Sequence, residues 1–291
     1  MEWDPHINQP NFSDFKEATS LVLPSGGIKG FYLLGAVEYL YEEYGLQHIT
    51  SYYGTSIGSV VSALLIIGFK PLEILVYVCI HRVLFCLFEA FDWTKIILNK
   101  NLIDTTIFVK LLTDMIVSKI GYVPTLGDLY HKFGKKLCIA TIRRDQPNLP
   151  LYYSSESHPN LSVIHALHMS CSIPFIFGYA IYDDIEYMDG ALLDPFPILY
   201  ASAREERVFG INIKRSFKKP ATMIEDLFTI IFIPMNHITR LSVKQLLHGS
   251  YIELDTNDET VTRDTKHILS MFSSGYRQAK SSIPVIKEKV D

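Results

Sequence analysis

The chain has 291 residues, 48% of them apolar and 20% charged, so it can bury a large core, and the composition argues against long disorder. That length suits one α/β domain with insertions. A net charge of −4 without a long basic run argues against a nucleic-acid partner.

Residues 1–18 read as an irregular arm, and the polar opening MEWDPHINQP has no apolar core of a signal peptide. Ser20–Leu23 is a short apolar run, read as a buried strand, and it stops at the breaker cluster Pro24-Ser25-Gly26-Gly27. From Lys29 to Tyr44 apolar residues recur at helical spacing, and Gly45 stands where such helices end. Ile49–Tyr53 is a second strand, followed by Gly54-Thr55-Ser56-Ile57-Gly58 and a helix over Val60–Ile67 that stops at Gly68. Strand, glycine turn and helix thus occur twice within the first seventy residues. The pattern predicts a parallel α/β sheet with functional loops at the carboxyl ends of its strands.

Residues 71–120 are mostly helical in pattern, and the first part is apolar nearly all round. The stretch Leu64–Phe91 is the most apolar, but Lys70, Glu73, His81, Arg82 and Glu89 interrupt it. No window reaches the length of a spanning helix, about 20 apolar residues. Leu137–Ile142 and Leu151–Ser154 read as strands, Leu161–Met169 as a helix, and Ala180–Met188 as a hairpin turning at Asp183-Asp184. Arg207–Ile213 and Ser250–Asp255 are further strands, and Asp264–Ala279 a closing helix. The expected organisation is an arm over 1–18, one domain over 19–281 and a tail over 282–291.

Two glycine turns carry the chemistry. In Gly54-Thr55-Ser56-Ile57-Gly58 the flanking glycines leave room for a tight strand-to-helix turn, which projects a nucleophilic hydroxyl toward a helix amino terminus. A plain Gly-Ser turn is the competing reading. In Ser25-Gly26-Gly27-Ile28-Lys29-Gly30 consecutive glycines expose N–H groups at a helix start. Neither phosphate-loop spacing is present, so an oxyanion hole or a simple connecting turn remains. Met188-Asp189-Gly190-Ala191 alone reads most simply as a turn. The order of the three supplies the functional reading.

In that order and composition the chain resembles the patatin-like phospholipases. Gly26-Gly27-Ile28-Lys29-Gly30 is similar to the family's oxyanion loop, Ser56 to its nucleophile, and Asp189 in Asp189-Gly190-Ala191 to its base. Ser170-Cys171-Ser172-Ile173-Pro174-Phe175-Ile176-Phe177 resembles the small-residue segment before that aspartate. Asp194-Pro195-Phe196-Pro197 resembles the segment after it, and Phe272–Ala279 the family's Gly-Tyr helix. One departure is Ser25, where many members have the first of three glycines; Gly26, Gly27 and Ile28 are left as donors.

The resemblance implies a three-layer α/β/α sandwich with a mostly parallel central sheet. It implies a phospholipase A-type serine esterase using a Ser56–Asp189 dyad on fatty-acyl esters. Gly26, Gly27 and Ile28 would form the oxyanion hole, and Lys29, Gly30, Gly54, Gly58 and Gly190 would shape the site. Lys29 steadies the loop, meets a phosphate head group, or is a plain surface residue. The expected partner is a lipid at a membrane or micelle surface, in a cytoplasmic protein with peripheral membrane contact. Residues 71–120 and Phe228–Met235 are the candidate lipid-admitting surface, a second hydrophobic core being the alternative.

No cofactor or metal is implied. Cys79, Cys86, Cys138 and Cys171 lack zinc or disulfide spacing and read as buried free thiols. His165 and His168 read as packed or surface side chains. Two rival functions remain: an α/β-hydrolase with a Ser-His-Asp triad, drawing on His237, His248 or His267, and a lipid-binding protein without catalysis. The intact serine, aspartate and glycines argue against the second.

Overall fold

The computed structural model describes residues 12–81, 105–174, 176–205, 207–214, 223–256 and 264–283. Among the described residues eight strands form one sheet: β1 (Ser20–Leu23), β2 (Ser51–Thr55), β3 (Lys136–Arg143), β4 (Leu151–Ser154), β5 (Ala180–Tyr182), β6 (Ile185–Asp189), β7 (Val208–Lys214) and β8 (Ser250–Asp255). Their order is β5-β6-β3-β2-β1-β7-β8, with β4 also on β3. The run β3-β2-β1-β7-β8 is parallel, while β4, β5 and β6 pair antiparallel. The expected mostly parallel sheet is therefore present, with an antiparallel margin.

Side-chain alternation explains the layers. Leu21 and Leu23 of β1, Tyr52 of β2, Leu137 and Ile139 of β3, and Phe209 and Ile211 of β7 belong to one core. Their strand neighbours Val22, Tyr53, Cys138 and Val208 belong to a second. A strand with apolar residues on both faces must be covered on both. The first core is closed by α2 (Gly30–Tyr44), α3 (Ile57–Ile66), α7 (Val163–Cys171) and α10 (Thr265–Ser282), the second by α8 (Ile198–Ser202) and the end of α9 (Met223–Gln245).

Among the described residues the remaining helices are α1 (Phe12–Glu17), α4 (Pro71–Ile80), α5 (Thr105–Ile120) and α6 (Leu126–Phe133). Among the described residues no single helix is long and apolar enough to cross a membrane. Helices α2 and α10 pack backbone to backbone: a Cβ at Gly35 would overlap the Phe272 carbonyl, and one at Gly275 the Tyr32 carbonyl. That contact gives the glycine of the closing helix its physical reason.

Several boundaries differ from expectation: β2 runs Ser51–Thr55, not Ile49–Tyr53, α3 begins at Ile57, not Val60, and α7 runs Val163–Cys171, not Leu161–Met169. Both ends of the domain differ as well. The arm is helical over Phe12–Glu17, because Phe15 is fully buried against Tyr44, His48 and Phe209. The closing helix runs to Ser282, and Ile283 is buried with its carbonyl accepting from Tyr39 Oη at 2.6 Å. The hairpin stands as expected: Asp183 and Asp184 have φ of 50° and 60°, the left-handed pair of a two-residue turn. Within 71–120, α4 and α5 are helical as read; 82–104, Cys86 among them, lies outside the described residues, as do Phe175 and 284–291.

Candidate active site

Strand β2 ends at Thr55 and α3 begins at Ile57, so Ser56 alone makes the turn, with φ 55° and ψ −124°. A positive φ is rare for a residue with a Cβ and costs about 1–3 kcal/mol. The flanking glycines are packing requirements. A Cβ at Gly54 would stand 2.5 Å from Ser59 N, and one at Gly58 would overlap the Leu23 carbonyl.

Hydrogen bonds hold the strained turn. Ser56 N–H donates to Ser170 Oγ at 2.9 Å, and Ser170 Oγ donates to the Ala140 carbonyl at 2.7 Å. Ser59 Oγ lies 2.6 Å from the Ser56 carbonyl and 2.9 Å from Ser170 Oγ. Ser59 and Ser170 have no exposed surface.

Asp189 reaches Ser56 through strand register. Thr55 pairs with Ala140 and Asp189 with Thr141, so two residues distant in sequence flank one point on β3. Ser56 Oγ donates to Asp189 Oδ2 at 2.7 Å, and Asp189 Oδ1 accepts from Ala191 N–H at 2.8 Å. The carboxylate is 1% exposed and the serine 5%. These donors offset the cost of burying an ionised group. Gly190 is obligatory here, because a Cβ would overlap the Ala140 carbonyl.

The glycine loop lies against the same turn. A Cβ at Gly30 would meet Ile57 Cγ1 at 2.6 Å, which places the start of α2 on the residue after Ser56. Gly27 has φ 53° and open space around its missing Cβ. Among the described residues, the N–H groups of Gly26, Gly27 and Ile28 have no backbone acceptor. Ser25 differs: its N–H donates to the Pro195 carbonyl at 2.8 Å. Lys29 Nζ donates to Thr256 Oγ1 at 2.9 Å, so this amine braces the loop against the end of β8.

Behind the site, Asp194 fixes the segment after Asp189. Its carbonyl accepts from Thr55 Oγ1 at 2.9 Å, and its Oδ2 from Tyr152 Oη at 2.5 Å. Burial pushes the Asp194 carboxyl up to about 6, although the Tyr152 and Phe196 hydrogen bonds oppose that rise. Sequence reading placed Asp194 in a motif without a role, and it did not find Ser59, Ser170 or Tyr152 as partners. Ser170 was legible only as part of a small-residue segment.

Ser56 Oγ donates directly to a carboxylate, while His165, His237 and His248 are exposed and His267 is half-buried in the first turn of α10. His168 is mostly buried on α7, and burial lowers its pKa. Cys138 and Cys171 are buried free thiols and Cys79 is half-buried. Burial, and next the charge of Asp189, push the Cys171 thiol well above its usual range. No group of three or more His, Cys, Asp or Glu placed to hold a metal occurs among the described residues.

The profile of the patatin-like phospholipase family matches residues 21–202. A probable lipid hydrolase, 463L of Invertebrate iridescent virus 6, is 29% identical over 181 residues, which are 62% of this chain and 61% of that protein. The match therefore spans less than two thirds of that relative's length. The uncharacterized protein YqhO of Bacillus subtilis (strain 168) is 26% identical over 235 residues, 72% of this chain and 76% of its own. Among solved structures, VipD from Legionella pneumophila superposes with a TM-score of 0.54 at 15% identity, covering 92% of this chain and 67% of VipD. That likeness is one of fold.

Proposed function

Because the chain belongs to the patatin-like phospholipase family, we propose that it is a lipid acyl hydrolase working through Ser56 and Asp189 without a catalytic histidine. The observation that carries the reading is the 2.7 Å hydrogen bond from Ser56 Oγ to Asp189 Oδ2, made at a strained turn beside loop N–H groups that have no backbone acceptor among the described residues.

As Ser56 Oγ attacks the ester carbonyl of a lipid, Asp189 Oδ2 takes its proton. Negative charge gathers on the former carbonyl oxygen, and the N–H groups of Gly26, Gly27 and Ile28 receive it. The amino end of α3 adds its dipole. Collapse breaks the bond to the leaving alcohol, which takes the proton from Asp189 and departs. Water then repeats the sequence on the acyl-enzyme: Asp189 accepts a water proton, hydroxide adds to the acyl carbon, and Ser56 leaves with the proton as the fatty acid is released. The near-complete burial of the pair strengthens each electrostatic interaction in this cycle.

A fluorophosphonate probe tests the nucleophile. It should label the wild-type chain at Ser56 and leave a folded Ser56→Ala chain unlabelled. Mass analysis of products from phospholipids, glycerides and lysolipids then identifies the ester cleaved. A folded wild-type chain that neither labels nor releases fatty acid would overturn the proposal.

A further inference from the structure

We infer that the outward face of α9 is a seat for an anionic phospholipid bilayer, combining apolar insertion with cationic attraction. The inference rests on the lipid-hydrolase reading for its purpose, since the seat would present substrate to that site.

At about 100° per residue, Ile230, Ile233, Pro234 and Leu241 fall with Arg240 and Lys244 on one arc of roughly 120°. All six are exposed, Ile230 by 67%, Ile233 by 54% and Leu241 by 42%. The opposite arc carries Met235, Thr239 and Ser242, all buried. Exposed isoleucines over adjacent turns are costly in water and suit a helix lying in a membrane interface.

Charge selects the occupant. The helix carries Glu225 and Asp226 only in its first turn, about 20 Å along the axis from Arg240 at roughly 1.5 Å per residue. From Thr229 to Gly249 the sequence holds no Asp or Glu, although the whole chain is net negative at −4. Among the described residues no carboxylate forms a salt bridge with Arg240 or Lys244. An apolar strip with unneutralised cations at one end complements acyl chains beneath anionic head groups, and it disfavours a neutral surface. Pro234 fits the same setting. It stands on the exposed arc inside the helix, where it removes the N–H that would have met the Ile230 carbonyl.

Position ties the seat to the chemistry. Helix α9 packs on the turn Gly190–Leu192, which directly follows Asp189. The expected lipid-admitting stretch Phe228–Met235 lies within this helix, and its cationic half, Arg240 and Lys244, extends beyond that stretch.

The test is flotation of the full chain, as Ser56→Ala so that vesicles survive, with phosphatidylcholine vesicles either pure or doped with phosphatidylglycerol. Doped vesicles should bind far more strongly, and about 1 M salt, where the Debye length is about 3 Å, should erase most of the difference. At about fivefold per cation, Arg240→Gln/Lys244→Gln should weaken binding to doped vesicles roughly 25-fold. Ile230→Ser/Ile233→Ser should weaken it tenfold or more. The same surface variants in a Ser56 background should cleave a soluble short-chain ester at the wild-type rate, which also controls for folding. Equal binding to both vesicle types, or undiminished binding by both double variants, would overturn the inference. Selective binding by a wild-type chain that cleaves no ester would instead sink the hydrolase reading and leave the seat standing.

Discussion

Replacing Ser170 by Ala tests whether this residue positions the proposed nucleophile, Ser56, or only fills space. The change removes one oxygen from a place with no exposed surface. Ser56 N–H loses its acceptor, and a buried unsatisfied donor costs about 1–3 kcal/mol. The Ala140 carbonyl loses a hydroxyl donor, worth about 1 kcal/mol more. The expected destabilisation is about 2–4 kcal/mol, which lowers the melting temperature of a chain this size by about 3–7 °C. Catalysis should respond through the turn itself. Its φ of 55° is held against a strain of about 1–3 kcal/mol, and an unanchored Ser56 can relax away from Asp189. If most of that strain is released, kcat falls about 10- to 100-fold, at 1.36 kcal/mol per decade, with KM little changed. Thermal unfolding and turnover of a soluble ester measure both. Ser59→Ala is the internal comparison: it deletes a hydroxyl from the same cluster but leaves Ser56 N–H bonded to Ser170. Its kcat should fall less than about tenfold. A Ser170→Ala chain that melts early yet turns over at the wild-type rate would refute the positioning argument.

Gly27→Val should fold with a loss of about 1–2 kcal/mol, since only the positive φ opposes it and no atom lies within 4 Å of its Cβ position. Its N–H remains, but the branched side chain would fill the space where the oxyanion must meet the loop, so kcat should fall roughly 10²–10³, as when one oxyanion donor is lost, and normal kcat would remove the loop from the mechanism. Asp189→Asn should abolish turnover because an amide cannot take the serine proton. Single His→Gln changes at His165, His168, His237, His248 and His267 should keep most activity, and a loss above about 10³ in kcat for any one would restore the triad. Asp194 makes a stability prediction. Its folded pKa, about 6, lies above the ordinary 3.8, so its contribution is fullest below about pH 4, declines as pH rises to about 6, and is flat beyond. The span is about 3 kcal/mol, and melting curves of wild type and Asp194→Asn should diverge across that window. A difference independent of pH would mean that the carboxyl is not raised.

Strands β1, β4 and β8 were legible to the residue, because their apolar runs are short and bounded by turn residues. Helix α6 was not read, although its signal is present. Thr125 and Asp128 exchange hydrogen bonds as a capping box, and Gly134 closes the helix with φ 65°. Only eight residues separate those signals, too few for periodicity to register. Helix α9 hid behind Pro234, which reads as a breaker but is carried on an exposed face. At the site, Ser56 stood out because its flanking glycines mark a tight strand-to-helix turn, whereas Asp189 alone read as a plain turn and was singled out by motif order and the family resemblance. The contact between Ser56 N–H and Ser170 Oγ was not legible, because it spans 114 residues and neither serine has a motif that points to the other.

Such long-range contacts share one anchor. Ala140 on β3 pairs with Thr55, which sets the height of Ser56 against the sheet. Its carbonyl accepts from Ser170, which holds the Ser56 backbone, and it faces Gly190, where even a Cβ would collide. A missing side chain at Gly190 and small ones at Ala140 and Ser170 therefore let β2, α7 and the turn after β6 meet at one peptide group. Bulk added there would push Ser56 and Asp189 apart before it disturbed the sheet, because the parallel pairing of β3 with β2 is backbone-made and runs its full register from Ser51 to Thr55. The geometry of the pair thus depends less on either residue's neighbours in sequence than on how little volume surrounds Ala140.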